Sequence, residues 1–182
     1  TLKDGKWTDV SELPFNSNDY NVAHPALSPD DKTLYFASNM PGGIGESDIW
    51  KVEINGNSYG KPENLGPKVN TSGKENFPFI TDDSTLYFAS SGKQGFGGLD
   101  IFKIQLNSSE EAQNVGKPVN TEKDDFSFSF NKKENIGFFS SNRNGTDAIY
   151  SASPICKSQA IVVVTNKKTG ETVELAFLNT EL

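Results

Sequence analysis

The sequence predicts an all-β chain, and three observations carry that reading. The run Thr33-Leu34-Tyr35-Phe36-Ala37-Ser38 returns 52 residues later as Thr85-Leu86-Tyr87-Phe88-Ala89-Ser90, and a worn third copy follows at Ile136-Gly137-Phe138-Phe139-Ser140-Ser141. Apolar runs are short, and no window sustains the i, i+3, i+4 spacing of a helix. Aromatic residues make up 11% of the 182 positions, 13 of them Phe, which suits strands packed on a pleated surface.

Each copy sits inside a longer unit. A first strand leads it: His24-Pro25-Ala26-Leu27-Ser28, then Phe77-Pro78-Phe79-Ile80-Thr81, then Phe126-Ser127-Phe128-Ser129-Phe130, read as aligned in that order. A turn rich in Asp or Asn follows, residue types whose side chains bond nearby backbone amides. The copied run is the second strand. Leu-Tyr-Phe-Ala is apolar on both faces, so both faces of its sheet must be covered, and without helices the cover is another sheet.

Gly-rich loops come next (residues 39–46 and 91–98, and a shorter one at 142–146), and then the third strands Asp48–Ile54, Asp100–Leu106 and Ala148–Ala152. Asp48 and Asp100 keep the period, whereas in the third unit Ala148 holds that position and the aspartate stands one place earlier, at Asp147. Each unit closes on a fourth strand, a Pro or Gly kink and an Asn-Ser/Thr pair: Asn16-Ser17, Asn70-Thr71, Asn120-Thr121. The opening segment, Lys3 to Ser17, matches 55–71, so it reads as the last strand of a unit whose earlier strands are absent.

Four strands in roughly 50 residues, repeated, is the signature of β-propeller blades. The expected architecture is a partial β-propeller of about three four-stranded blades over residues 1–155, the first truncated and the whole being half of a six-bladed ring. Residues 156–182 break the period. Ala160–Thr165, a turn at Asn166–Gly170 and Glu171–Phe177 read as a β-hairpin opening a β-sandwich domain.

Charge and cysteine content narrow the function. A net charge of −7 with no basic face argues against nucleic acid. A single cysteine, Cys156, excludes an internal disulfide and a Cys-based zinc site, and the only histidine, His24, lies far from it in sequence. No apolar run is long enough to span a membrane.

Chemistry-bearing candidates each have a plainer reading. Asp48 and Asp100 could form part of a carboxylate ring, but capping the Gly-rich loop through backbone N–H groups is favoured. Asp30-Asp31 and Asp82-Asp83 are turn residues rather than glycosidase acids, which need a fixed separation across a cleft. The glycine runs lack the Gly-Lys-Ser/Thr and the helix of a phosphate loop. An enzyme using the central channel would draw on His24, Ser28, Thr81, Ser127 and Ser129, a poor acid–base set.

The phrases His24–Asn39, Ser47-Asp48-Ile49-Trp50 and Ser140-Ser141-Asn142-Arg143 resemble TolB-type, WD40-like propeller repeats, in particular those of OmpA-family periplasmic proteins of Bacteroidetes-type bacteria, including PorE-like components of type IX secretion. Thr165–Glu171 is similar to the first hairpin of a carboxypeptidase-regulatory-like domain. The resemblance implies a non-catalytic scaffold of the cell envelope without cofactor. It would sit in the periplasm, peripheral to the outer membrane, and link outer-membrane partners to peptidoglycan through a domain outside this chain. Glycan or peptidoglycan binding by the propeller is the alternative, with glycan processing behind it. The partner-docking face is expected on the loops that carry Met40, Ile44, Phe96, Arg143, Asn70 and Asn120, where exposed apolar side chains would mark a contact surface.

Overall fold

The computed structural model describes residues 2–154, 158–165, 169 and 172–180. Residues 1–152 and 153–182 form two compact units. No helix among the described residues is long and apolar enough to cross a membrane.

The first unit opens on a hairpin of β1 (Leu2–Lys3) and β2 (Lys6–Trp7), paired Leu2 to Trp7. Blade 1 then runs β3 (Val22–Leu27), β4 (Thr33–Ser38) and β5 (Asp48–Asn55). The end of β5 folds back on β6 (Ser58–Tyr59) in the register of the opening hairpin, Ile54 to Tyr59, and β7 (Glu63–Asn64) supplies the fourth strand. Blade 2 is the antiparallel sheet of β8 (Glu75–Ile80), β9 (Thr85–Ser90), β10 (Asp100–Gln105) and β11 (Gln113–Asn114), each hydrogen-bonded to the next. Blade 3 has β12 (Asp125–Asn131), β13 (Ile136–Ser141) and β14 (Ala148–Ala152). The first strands lie side by side, β3 against β8 and β8 against β12. Successive sheets stacked through their inner strands are blades of a partial β-propeller, as the period predicts.

The copied run is buried on both faces. Tyr35 and Ala37 join Ile49 of blade 1 to Leu86, Phe88 and Phe102 of blade 2 in one core. Phe36, from the opposite face of the same strand, packs with Phe15, Met40, Trp50 and Val52 in a second. At about 25 cal/mol per Å² of apolar area removed from water, these two cores are what stacking one blade on the next supplies. On blade 3, by contrast, Phe138 is 45% and Ile149 77% exposed.

The first strands start earlier than the alignment places them, and each carries a bulge. Register shifts fall between Ala23 and Ala26, Asn76 and Phe79, and Phe126 and Ser129. The bulged residues His24, Phe77 and Ser127 all have positive φ, 53°, 54° and 56°. Ser127, not Phe126, is therefore the counterpart of His24 and Phe77. The alternating Phe126, Phe128 and Phe130 disguise a one-residue shift, which the pairing of Asp125 with Ser141 and of Glu75 with Ser90 resolves.

In the second unit, β15 (Ser158–Thr165) pairs antiparallel with β16 (Thr172–Thr180), Ser158 opposite Thr180. Cys156 and most of the Asn166–Gly170 turn lie outside the described residues.

Candidate functional site

The Gly-rich loops are built from a buried carboxylate outward. Asp48, 1% exposed, opens the third strand of blade 1 and accepts hydrogen bonds from the backbone of Ile44, from Gly45 N at 3.1 Å and from Asn64 Nδ2 at 2.7 Å. Asp100, equally buried, accepts from Phe96 N and Gly97 N, both at 3.0 Å. The favoured capping role is what the structure shows: each aspartate draws its loop's amides into a fixed turn. The copies differ in one respect. Asp100 Oδ1 and Asn114 Nδ2, counterparts of the bonded Asp48–Asn64 pair, are both buried without a partner among the described residues.

The base of each loop presses against the next blade. Glu46 N donates to Gly73 O at 2.9 Å, Glu75 N donates to Ser47 O at 2.7 Å, and Ser47 bridges Lys74 in parallel. Asp125 N repeats the contact on Leu99 O at 2.7 Å. A Cβ on Gly45 would collide with the carbonyl oxygens of Thr71 and Gly73, and one on Gly97 with that of Lys123. Close approach of two backbones is what these glycines provide.

Of the expected docking residues, only two stand at a surface as expected. Ile44 and Phe96, at matching positions in the two loops, are 47% and 46% exposed. Lys117 Nζ covers part of the Phe96 ring at 5.3 Å from its centroid. Met40 is buried among Phe15, Phe36 and Trp50, because the bend after Ser38 turns it inward; Ser38 Oγ accepts its N–H at 3.1 Å. Asn70 and Asn120 are buried too. The Asn70 side chain accepts from Ile49 N at 2.7 Å and donates to Ile49 O at 2.9 Å; Asn120 does the same to Ile101 at 2.9 and 2.8 Å. Each amide mimics a strand residue and extends the ladder beyond the two-residue fourth strand, pairing an N–H that would otherwise be buried unpaired and sharing a carbonyl with Leu65 N or Val115 N.

Arg143 is likewise a joint rather than a docking side chain. Its guanidinium lies 2.8 Å from Asp125 Oδ1, donates to Val119 O at 2.6 Å, and stacks on Phe139 and Tyr150 at 5.0 and 4.6 Å. Asp125 is fully buried and takes its other bonds from Thr121 N and Oγ1. Blade 2 repeats the arrangement with Glu75, which accepts from Thr71 N, Thr71 Oγ1 and Ser90 Oγ at 2.6–2.7 Å. Lys93, one residue beyond the position of Arg143, donates to Lys68 O at 2.8 Å as Arg143 does to Pro118 O; burial pushes its ammonium down, opposed by Glu75 and Glu111. Blade 1 has Val22 and Met40 instead. The charged pairs went unread in the sequence, although Val22/Met40 and Asp125/Arg143 change together at matching positions and carry the signal; in blade 2 the lysine stands one residue beyond the matching Gly92.

Of the axial candidates, His24, Ser28 and Thr81 make structural contacts, although His24 Nδ1 is buried without a partner among the described residues. His24 stacks on Phe77 at 4.0 Å, and Phe77 on Phe126 at 5.1 Å; burial pushes the imidazole below its usual value, with a hydrogen bond to Asn76 opposing. Ser28 and Thr81 bond Asp30 and Asp83 within their own turns. Ser127 and Ser129 are exposed on β12. Among the described residues no three His, Cys, Asp or Glu side chains converge as metal ligands.

No family model and no curated protein matches the chain. Solved structures do. A protein of Agrobacterium tumefaciens assigned as TolB is 19% identical at a TM-score of 0.49, covering 86% of this chain and 50% of its own. Prolyl oligopeptidase B of Galerina marginata is 15% identical at 0.50, covering 90% of this chain and 26% of that one. A puromycin hydrolase is 9% identical at 0.38, over 83% and 32%. The chain thus spans half the length of the first and about a quarter of the second. The likeness at 0.50 is one of fold.

Proposed function

We propose that this chain is a non-catalytic, protein-interacting propeller of the bacterial cell envelope, meeting its partner through the tips of its Gly-rich loops. The observation that carries the reading is the pair Ile44 and Phe96. Both are half-exposed apolar side chains on backbone that Asp48 and Asp100 hold rigid from below. A contact surface already ordered before binding loses little conformational freedom on complex formation. Apolar anchors within a polar surround are what a protein partner engages.

The envelope setting rests on the resemblance of 24–39, 47–50 and 140–143 to the TolB-type repeats of OmpA-family periplasmic proteins. It extends to a place at the outer membrane, a carboxypeptidase-regulatory-like domain after residue 155, and outer-membrane or type IX secretion partners joined to peptidoglycan by a domain outside this chain.

The test is capture of envelope proteins by the full-length protein and by its Ile44→Asp/Phe96→Asp variant, with the variant's thermal midpoint measured alongside. Loss of the captured partner at an unchanged midpoint is the expected result. Undiminished capture contradicts docking at the tips, and turnover of a glycan panel contradicts the non-catalytic assignment.

A further inference from the structure

At the opposite end of the blades from the Gly-rich loops, the hairpin turns of neighbouring blades meet. Blade 2 meets blade 3 through an ion pair, with Lys132 Nζ 3.3 Å from Asp83 Oδ2. The other oxygen of Asp83 serves its own turn, accepting from Thr81 Oγ1 at 2.6 Å and Thr85 N at 3.3 Å. Beside this pair Phe128 of blade 3 lies against Tyr87 of blade 2, ring centroids 4.7 Å apart.

The seam between blades 1 and 2 has the same frame and different occupants. Asp30 Oδ1 accepts from Ser28 Oγ at 2.6 Å and Lys32 N at 3.2 Å, as Asp83 Oδ1 does from its turn. Asp30 Oδ2, the counterpart of the oxygen that Lys132 occupies, takes no hydrogen bond or ion pair from another side chain among the described residues, and the Lys32 ammonium of its own turn acts on the carboxylate only from beyond ion-pair distance. In the register of the first strands, Asp82 stands where blade 3 has Lys132, and Pro78 where it has Phe128. A shorter residue of opposite charge and a smaller ring leave a cleft of about 400 Å³, lined among others by Tyr35, Ile80, Asp30 and Asp82. Tyr35 is only 8% exposed, yet its hydroxyl, on the cleft, makes no hydrogen bond among the described residues.

We propose that this cleft receives the side chain of a lysine from a partner protein, which supplies from outside what Lys132 supplies within the chain. The ammonium sits between the Asp30 and Asp82 carboxylates and donates to the Tyr35 hydroxyl oxygen. The methylene stem lies on the Tyr35 ring and Ile80, as long cationic side chains do on apolar ground. Exposed ion pairs contribute little each, so a single lysine binds weakly and the site works as one contact in a larger interface. This face is separate from the loop tips and stands whether or not they dock a partner.

The experiment is an NMR titration of the isotope-labelled protein with Nα-acetyl-lysine methylamide. Saturable shifts confined to the amides of Ser28–Tyr35 and Ile80–Ser84 are expected. They should vanish with the Nε-acetylated derivative, which has no charge. Asp82→Lys places the missing ammonium in the cleft and should abolish the shifts while leaving the rest of the spectrum in place; Asp30→Asn should weaken binding about threefold. Absence of saturable shifts, equal shifts from the neutral derivative, or undiminished binding to the Asp82→Lys variant overturns the proposal. So does calcium chloride moving the same amides at lower concentration than the lysine derivative.

Discussion

At the root of each Gly-rich loop the two copies agree nearly atom for atom, whereas at the tip they agree only in being apolar. Asp48 and Asp100 take the same backbone amides, Asn70 and Asn120 extend the same ladder, and Gly45 and Gly97 make the same close approach to the following blade. All of that is buried. Ile44 and Phe96, directly above, are half-exposed and differ in shape. These shared residues hold one blade to the next in the same way at each seam, while the joints at Val22/Met40, Glu75 and Asp125/Arg143 hold their seams with different side chains. Side chains that need only be apolar are free to suit a partner.

The largest effects should therefore come from the joints. Glu75→Ala leaves Thr71 and Ser90 without their acceptor in a fully buried site and removes one of the two carboxylates that act on Lys93. It should cost about 4 kcal/mol in urea denaturation. The joint of blade 3 allows a sharper test, because blade 1 solves the same problem with Val22 and Met40. Arg143→Met alone strands the buried Asp125 carboxylate and should cost about 3 kcal/mol. Adding Asp125→Val should recover at least about 1 kcal/mol relative to the sum of the single changes. Strict additivity would mean that the apolar and charged joints are not alternative solutions of one geometry.

This division explains what could be read in advance. The fold was legible because a strand buried on both faces must be apolar throughout, and Thr-Leu-Tyr-Phe-Ala-Ser says so twice. The capping aspartates were legible because their spacing follows the strand period. Asn70 and Asn120 misled, since Asn after a Pro or Gly kink looks like turn chemistry; only the register shows each amide facing a backbone N–H that lacks a fourth-strand partner. Met40 misled because the aromatic cover, Phe15 and Trp50, comes from elsewhere in the chain. Arg143 misled because its carboxylate partner is 18 residues away.

A smaller effect belongs to the turn seam. Hydrogen bonds from Thr81 and Thr85, with a lesser one from Lys132, hold the Asp83 carboxyl below its ordinary value. A depressed folded value means that its contribution is present above the unfolded value, about 3.8, and is lost as pH falls through the folded one. Asp83→Asn should therefore lie below the wild-type protein in thermal midpoint by a constant, small amount from neutral pH to about pH 5, and the gap should close in stronger acid.

The contrast between root and tip is tested most directly by the denaturation free energies of Asn120→Ala and Phe96→Ser, measured side by side. Asn120→Ala leaves the N–H of the buried Ile101 unpaired, although its C=O keeps the bond from Val115 N, and should cost about 2 kcal/mol. Phe96→Ser removes a half-exposed ring and its contact with Lys117 and should cost about 1 kcal/mol. A Phe96→Ser loss equal to that of Asn120→Ala would make the tip one more structural joint and contradict its assignment as a docking surface.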